Sequence, residues 1–277
     1  MDKRAHAEQQ RGIVTALQVL AQFDPQQAAE RCRDFLCAQL ETSGQQALVL
    51  GISGGVDSTV AGRLAQLAVE RARQQGRQAT FVAMRLPYGE QKDEADAQRA
   101  LQFIKPDEAL STNIKPASDA MLDALESGGL VFRDAAHRDF ILGNIKARQR
   151  MIAQYAVAGA RRGLVVGTDQ AAEALMGFFT KYGDGACDVA PLTGLSKRQV
   201  REVGAALGAP GELVDKVPTA DLESLSPMKT DEEAFGVSYE EIDDFLEGKP
   251  VSERACRIIV STYSNTMHKR NLPVTPG

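Results

Sequence analysis

The chain predicts an α/β fold: a parallel, Rossmann-like sheet with helices on both faces. Short apolar, β-prone runs alternate with longer segments of helical periodicity, the pattern of strands joined by helical crossovers. Three of those runs lead directly into clusters of glycine and polar residues, at Gly51 to Ser58, Leu86 to Gly89 and Gly167 to Glu173. Ligands of parallel sheets sit at the carboxyl ends of strands, where these clusters fall. With 277 residues, 43% of them hydrophobic, the chain has enough apolar material for one large domain spanning 1–277.

Ile13, Leu17 and Leu20 recur at helical spacing. Asp24-Pro25 then pairs an N-cap with proline at the first helical position, and the helix it opens runs to about Thr42. Cys32, Phe35, Leu36 and Leu40 form its apolar stripe, so Cys32 reads as core packing. Ser43-Gly44 ends it. A strand over 48–52 precedes the helix Thr59 to Gln75, which stops at Gly76, and Ala79 to Leu86 is a second strand closed by Pro87-Tyr88-Gly89. A helix over 93–103, a strand over 109–114, a helix over 117–127, a long helix over 139–159 and a short buried strand over 164–167 follow. The stretch 211–236 is rich in Pro, Ser, Asp and Glu with little periodicity and reads as a long mobile loop, a candidate lid. Ser238 to Leu246 and Ser252 to Thr262 are closing helices.

The organising stretch is Leu48 to Ser58, Leu-Val-Leu-Gly-Ile-Ser-Gly-Gly-Val-Asp-Ser. A strand, a glycine turn and a helix N-terminus make an anion site, because Gly54 and Gly55 let a bulky anion approach the main chain while free helix N–H groups point at it. Asp57, a carboxylate facing a polyanion, makes sense with a divalent metal between them. The chemistry is that of a nucleoside triphosphate with Mg²⁺. No lysine follows the glycines, so this is not the Walker A loop.

Composition narrows the partners. A net charge of −5 and a pI near 5.4 argue against nucleic acid, and 5% aromatics without Trp give little for base stacking. Cys32, Cys37, Cys187 and Cys256 are scattered without a Cys-x-x-Cys pair, which points to neither zinc nor a disulfide framework. No apolar run reaches the length of a membrane span, and Met1 to Arg11 lacks a signal-peptide core, so a soluble cytoplasmic protein is expected. His6 and His137 read as surface residues, and Arg85, at the end of the second strand, is an outside candidate for a nucleotide contact.

The loop at Ser53 resembles the Ser-Gly-Gly-x-Asp-Ser pyrophosphate loop of the N-type ATP pyrophosphatase superfamily, whose fold is adenine nucleotide alpha hydrolase-like. A second cluster narrows this. Gly167-Thr168-Asp169-Gln170-Ala171-Ala172-Glu173, then Gly177-Phe178-Phe179-Thr180-Lys181-Tyr182-Gly183-Asp184-Gly185 and Asp188, resembles the ammonia-dependent NAD⁺ synthetases. The likeness extends through Leu86-Pro87-Tyr88-Gly89-Glu90-Gln91, Gly143 to Arg148, Pro191-Leu192, Lys197, Pro218 to Leu222 and His268-Lys269-Arg270, nearly the whole chain from about residue 25.

The resemblance implies amidation of deamido-NAD⁺ by ammonia, the last step of NAD⁺ biosynthesis, with ATP adenylating the nicotinate carboxylate and AMP and diphosphate released. It also implies roles. Gly51, Ile52, Ser53, Gly54, Gly55, Val56, Asp57 and Ser58 would hold pyrophosphate, with Thr168, Lys197 and Thr219 also on ATP and Lys197 at the phosphates. Asp57 and Glu173 would coordinate Mg²⁺. Arg148, Lys181, Asp188, His268 and Lys269 would line the deamido-NAD⁺ site, in a homodimer whose substrate site lies across the interface and receives His268 and Lys269 from the other protomer. Asp188 is further read as the carboxylate that attracts ammonium and takes its proton. The first 24 residues cannot hold a glutaminase domain, so free ammonia is the expected donor.

Rival readings are another ATP pyrophosphatase, such as a GMP synthetase or tRNA-modifying type, and a non-catalytic adenine-nucleotide sensor. An acidic chain without an added RNA-binding region disfavours the tRNA modifier. A sensor would not need both Asp57 and Glu173 or the Lys181 to Asp188 constellation.

Overall fold

The computed structural model describes residues 3–20, 22–90, 94–218, 230–271 and 273–276. In chain order the elements are α1 (Lys3–Ala16), α2 (Pro25–Ser43), β1 (Ala47–Gly51), α3 (Val56–Gln74), β2 (Thr80–Arg85), α4 (Glu94–Ile104), β3 (Glu108–Ser111), α5 (Lys115–Ser127), α6 (Ala135–Arg161), β4 (Gly163–Val165), α7 (Ala171–Met176), α8 (Lys197–Ala206), α9 (Gly211–Val214), α10 (Asp231–Phe235), α11 (Tyr239–Leu246), α12 (Glu253–Asn265) and α13 (Met267–Arg270). The strands are all parallel, in the order β3-β2-β1-β4.

Alternation along β1 and β2 builds two cores. Leu48, Leu50, Phe81 and Ala83 face the layer of α2, α3 and α8, where Leu36, Leu64 and Val203 are fully buried. Val49, Val82 and Met84 face the opposite layer with Val165 and Ala158 of α6. A third cluster joins Ile13 of α1 and Leu17 just after it to Leu175, Ile242, Phe245 and Ile259 of α7, α11 and α12. The chain moves from β1 to β2 and β3 on one side and returns to β4 on the other. The loops after β1 and β4 therefore diverge at the switch point, the crevice where such sheets take ligands.

Local chemistry sets the boundaries. Asp24 accepts the Gln27 N–H at 2.8 Å to open α2, and Gly44 closes it in the left-handed region at φ 67°. Cys32 is buried in the α2 stripe, but Phe35 is 39% exposed and Cys37 takes its place in the core. The stretch 211–236 is not one irregular loop. Among the described residues it holds α9 and α10, the latter opened by a capping box between Thr230 and Glu233. Residues 219–229 at its centre lie outside the described residues, so the lid expectation lies largely there too. Helix α8 was not anticipated, although Ser196 and Gln199, which form its capping box, are three residues apart in the sequence. Among the described residues no helix is long and apolar enough to cross a membrane.

Candidate active site

The loop after β1 is fixed before anything binds. Gly54 adopts φ +86°, and a Cβ there would lie 2.7 Å from the Ala97 backbone nitrogen, so α4 packs against bare backbone. The Gly55 N–H donates to Ser53 Oγ at 3.2 Å, the two serine hydroxyls meet at 3.0 Å, and Ser58 Oγ donates to the Gly55 carbonyl at 3.1 Å. Arg85 is buried, with its guanidinium on the Ile52 carbonyl and on Glu94 at 2.6 Å, so it clamps the loop's approach rather than facing a nucleotide. α3 then starts at Gly55 with no side-chain cap, which leaves its first N–H groups to a ligand.

These residues open on a cavity of about 510 Å³. Gly51, Ile52, Ser53, Gly55, Val56, Asp57, Ser58, Thr168, Glu173, Lys197 and Lys269 line it, so two loops more than a hundred residues apart share one space. One face of α6 supplies a wall: Phe140, Gly143, Asn144, Ala147, Arg150 and Gln154, spaced at helical intervals. Gln154 Oε1 accepts the Gly51 N–H at 2.8 Å.

The electrostatics centre on Asp57. Its Oδ2 is paired with the ammonium of Lys197, which is 2% exposed, while its Oδ1 is buried without a partner. Burial opposes the Lys197 charge, but Asp57 and Glu173 outweigh it and hold the ammonium above its ordinary value. Packing around the Glu173 carboxyl, then the nearby Asp57, pushes that group well above the usual carboxylate range. Asp169 is pushed up to about 7 by burial, Asp184 and Asp57 in that order. Asp231 adds a further carboxylate, one oxygen taking the Tyr239 hydroxyl at 2.8 Å and the other buried without a partner.

An unpartnered Asp57 oxygen beside a Glu173 carboxyl crowded by negative charge is a place for a cation. Among the described residues no group of three or more His, Cys, Asp or Glu could hold a metal alone. Two hard carboxylates that share the ion with phosphate oxygens suit Mg²⁺, so the residues fit it.

The other candidates fall in two places. Arg148, Lys181 and His268 stand together beside the cavity without lining it: Arg148 Nη2 donates to the Lys181 carbonyl at 3.2 Å, and Lys181 Nζ to the His268 carbonyl at 2.6 Å. Lys269 does line the cavity of its own chain, held by the carbonyls of Gly177 at 2.8 Å and Phe179 at 2.9 Å. Asp188 does not. Its Oδ2 accepts the Val165 N–H at 2.7 Å and its Oδ1 faces the Tyr155 hydroxyl at 3.4 Å, because the chain after Gly185 turns back to run beside β4. Asp188 thus sits outside the lining of this chain's cavity, bonded to β4 and α6. Thr219 lies outside the described residues.

Arg150, Gln154, Asp184, Lys216 and Asp231 line the cavity but were not singled out from the sequence. For Arg150 and Gln154 a signal existed, the spacing of Gly143, Ala147, Arg150 and Gln154 along one helix face. For Asp231 and Lys216 there was none, since tertiary packing alone brings them in.

A family profile described as NAD synthase matches residues 28–273. The NH₃-dependent NAD⁺ synthetase of Streptomyces coelicolor is 64% identical over 276 residues, covering 100% of this chain and 100% of the relative. That of Burkholderia pseudomallei is 58% identical over 275 residues, covering 99% and 97%. A crystal structure of NAD⁺ synthetase from Burkholderia pseudomallei superposes with a TM-score of 0.85 at 57% identity, covering 97% of this chain and 98% of the other. The structure of NMN synthetase from Francisella tularensis follows at 0.79 and 36% identity, covering 92% and 99%. With the profile spanning nearly the whole chain and relatives well above half identical along their full length, the chain belongs to the NAD synthase family.

Proposed function

We propose that this chain, acting as one domain, is a carbon–nitrogen ligase that joins ammonia to the nicotinate carboxylate of deamido-NAD⁺ at the expense of ATP, giving NAD⁺, AMP and diphosphate. The observation that carries it is the meeting of Asp57, Glu173 and Lys197 around one cavity at the uncapped N-terminus of α3.

A carboxylate is a poor electrophile, and adenylation gives it AMP as a leaving group. The loop from Gly51 to Ser58 holds the β- and γ-phosphates against the helix N–H groups as the substrate carboxylate displaces them at the α-phosphorus, a charge-crowded step stabilised by positioned donors and cations. Mg²⁺ held by Asp57 and Glu173 supplies further neutralisation of the phosphate charge. Lys197 reaches the same oxygens from the start of α8, and Thr168 lies against the nucleotide. Lys269 and Arg150 give the cavity wall positive charge suited to a dinucleotide with a diphosphate and a carboxylate. Asp184 and Asp231 also line the cavity and give ammonium a negatively charged place to gather.

The Arg148, Lys181 and His268 group, which stands beside the cavity without lining it, is consistent with a homodimer in which the substrate spans the interface. Sedimentation at micromolar concentration tests that assembly, and a monomer at all concentrations rejects it. The cytoplasm, where ATP and the dinucleotide are made, is the proposed location.

The test is purified protein with ATP, Mg²⁺, deamido-NAD⁺ and ammonium, followed for NAD⁺ and AMP in equal amounts. Glutamine in place of ammonium should give little product. Nicotinic acid mononucleotide in place of deamido-NAD⁺ tests the activity named for the Francisella relative. Faster turnover of the mononucleotide would replace the proposed substrate.

A further inference from the structure

Lys197 is placed where a metal ion also belongs. Its ammonium is paired with Asp57, the remaining Asp57 oxygen is buried without a partner, and Glu173 faces the same cavity. The backbone beneath it is immobilised. The Lys197 N–H donates to Asp243 Oδ1 at 3.0 Å, the Arg198 N–H to Asp243 Oδ2 at 2.8 Å, and Ser196 and Gln199 close a capping box on the same turn. The stem and ammonium are then the part of Lys197 that a ligand could redirect: the ammonium lies 5.4 Å from the Tyr239 ring and the residue lines the cavity.

We infer that Lys197 is the resident counter-ion of Asp57 and Glu173, which excludes a divalent cation until nucleotide phosphates arrive to take the ammonium, so that metal and nucleotide bind as one unit. The buried ammonium takes up part of the carboxylates' charge and repels a second cation at close range, so the place beside Asp57 and Glu173 is weak for a metal while Lys197 occupies it. Phosphate oxygens reverse this, because they add enough negative charge for the ammonium and the metal to coexist. The inference rests on the proposed metal role of Asp57 and Glu173, and it adds an order of binding to it.

Mn²⁺ is the probe, with the free ion counted by electron paramagnetic resonance as it is titrated into nucleotide-free protein. Lys197→Met, which keeps the buried stem, and Lys197→Gln should each bind Mn²⁺ at least about tenfold more tightly than wild type, since removing the competing charge relieves the repulsion. Lys197→Arg, which keeps the cation, should stay as weak as wild type. With a non-hydrolysable ATP analogue present the ranking should reverse, wild type binding the ion more tightly than Lys197→Met. Nucleotide-free affinity in both neutral variants equal to or below that of wild type, including no binding in any of them, overturns the inference. Asp57→Asn with Mn²⁺ and the analogue tests the underlying metal role separately: wild-type affinity there rejects the role, whatever the lysine variants do.

Discussion

Gln154 Oε1 accepts the Gly51 N–H at 2.8 Å across 103 residues of sequence, and so ties the middle of α6 to the end of β1. The bond replaces the strand partner that Gly51 N–H would otherwise lack where the sheet ends and the phosphate loop begins. Gln154→Leu leaves that N–H unpaired and should cost about 1–2 kcal/mol in urea unfolding. It should also raise KM for ATP. Gln154→Glu, which keeps an acceptor, should recover most of the stability.

The two loop glycines are not equivalent. Gly54 needs its positive φ, and an added Cβ would strike the α4 backbone, whereas at Gly55 the nearest such contact is Ser53 Oγ at 3.5 Å. Gly54→Ala should therefore destabilise by about 1–3 kcal/mol. Gly55→Ala should stay within about 1 kcal/mol of wild type. Thermal melts of the two variants side by side measure the difference.

Asp169 gives the nucleotide-free protein a pH dependence of defined sign. Its carboxyl titrates near 3.8 when unfolded and at about 7 in the folded chain. Between those values the native state binds the additional proton, so stability falls as pH rises through the window and levels off above it. Glu173, also raised, acts in the same direction. Urea midpoints should be lower at pH 8 than at pH 5, and Asp169→Asn should flatten the slope.

Asp188 separates two accounts of ammonia activation. A base in the reaction space would make Asp188→Asn lose turnover and change the pH profile. The observed carboxylate, bonded to the Val165 N–H outside the cavity lining, predicts a kcat within roughly threefold of wild type, because no proton transfer depends on it. Steady-state kinetics across pH 6–9 decide between them.

What was legible in the sequence was what is local in it. The stretch from Leu48 to Ser58 carries strand, turn and helix start in eleven consecutive residues, and the α2 cap and Gly44 stop are equally compact. Glu173 was found through a motif, and its nearness to Asp57 is a result of β4 pairing beside β1, which no local pattern states. Asp231 reaches the cavity from a five-residue helix held by Thr230 and Tyr239. The position of Asp188 beside β4 is likewise not local, because the Val166 and Val189 pairing sets the direction of the chain after Gly185.

The central claim is that Asp57 and Glu173 act together on the departing pyrophosphate. Exchange of labelled pyrophosphate into ATP, run with deamido-NAD⁺ and Mg²⁺ but no ammonium, reads that half-reaction alone. Asp57→Asn and Glu173→Gln should each slow exchange by at least about a hundredfold, and the double variant should be little worse than either, as expected for groups that act as a unit. Exchange within about threefold of wild type in either single variant would contradict the claim.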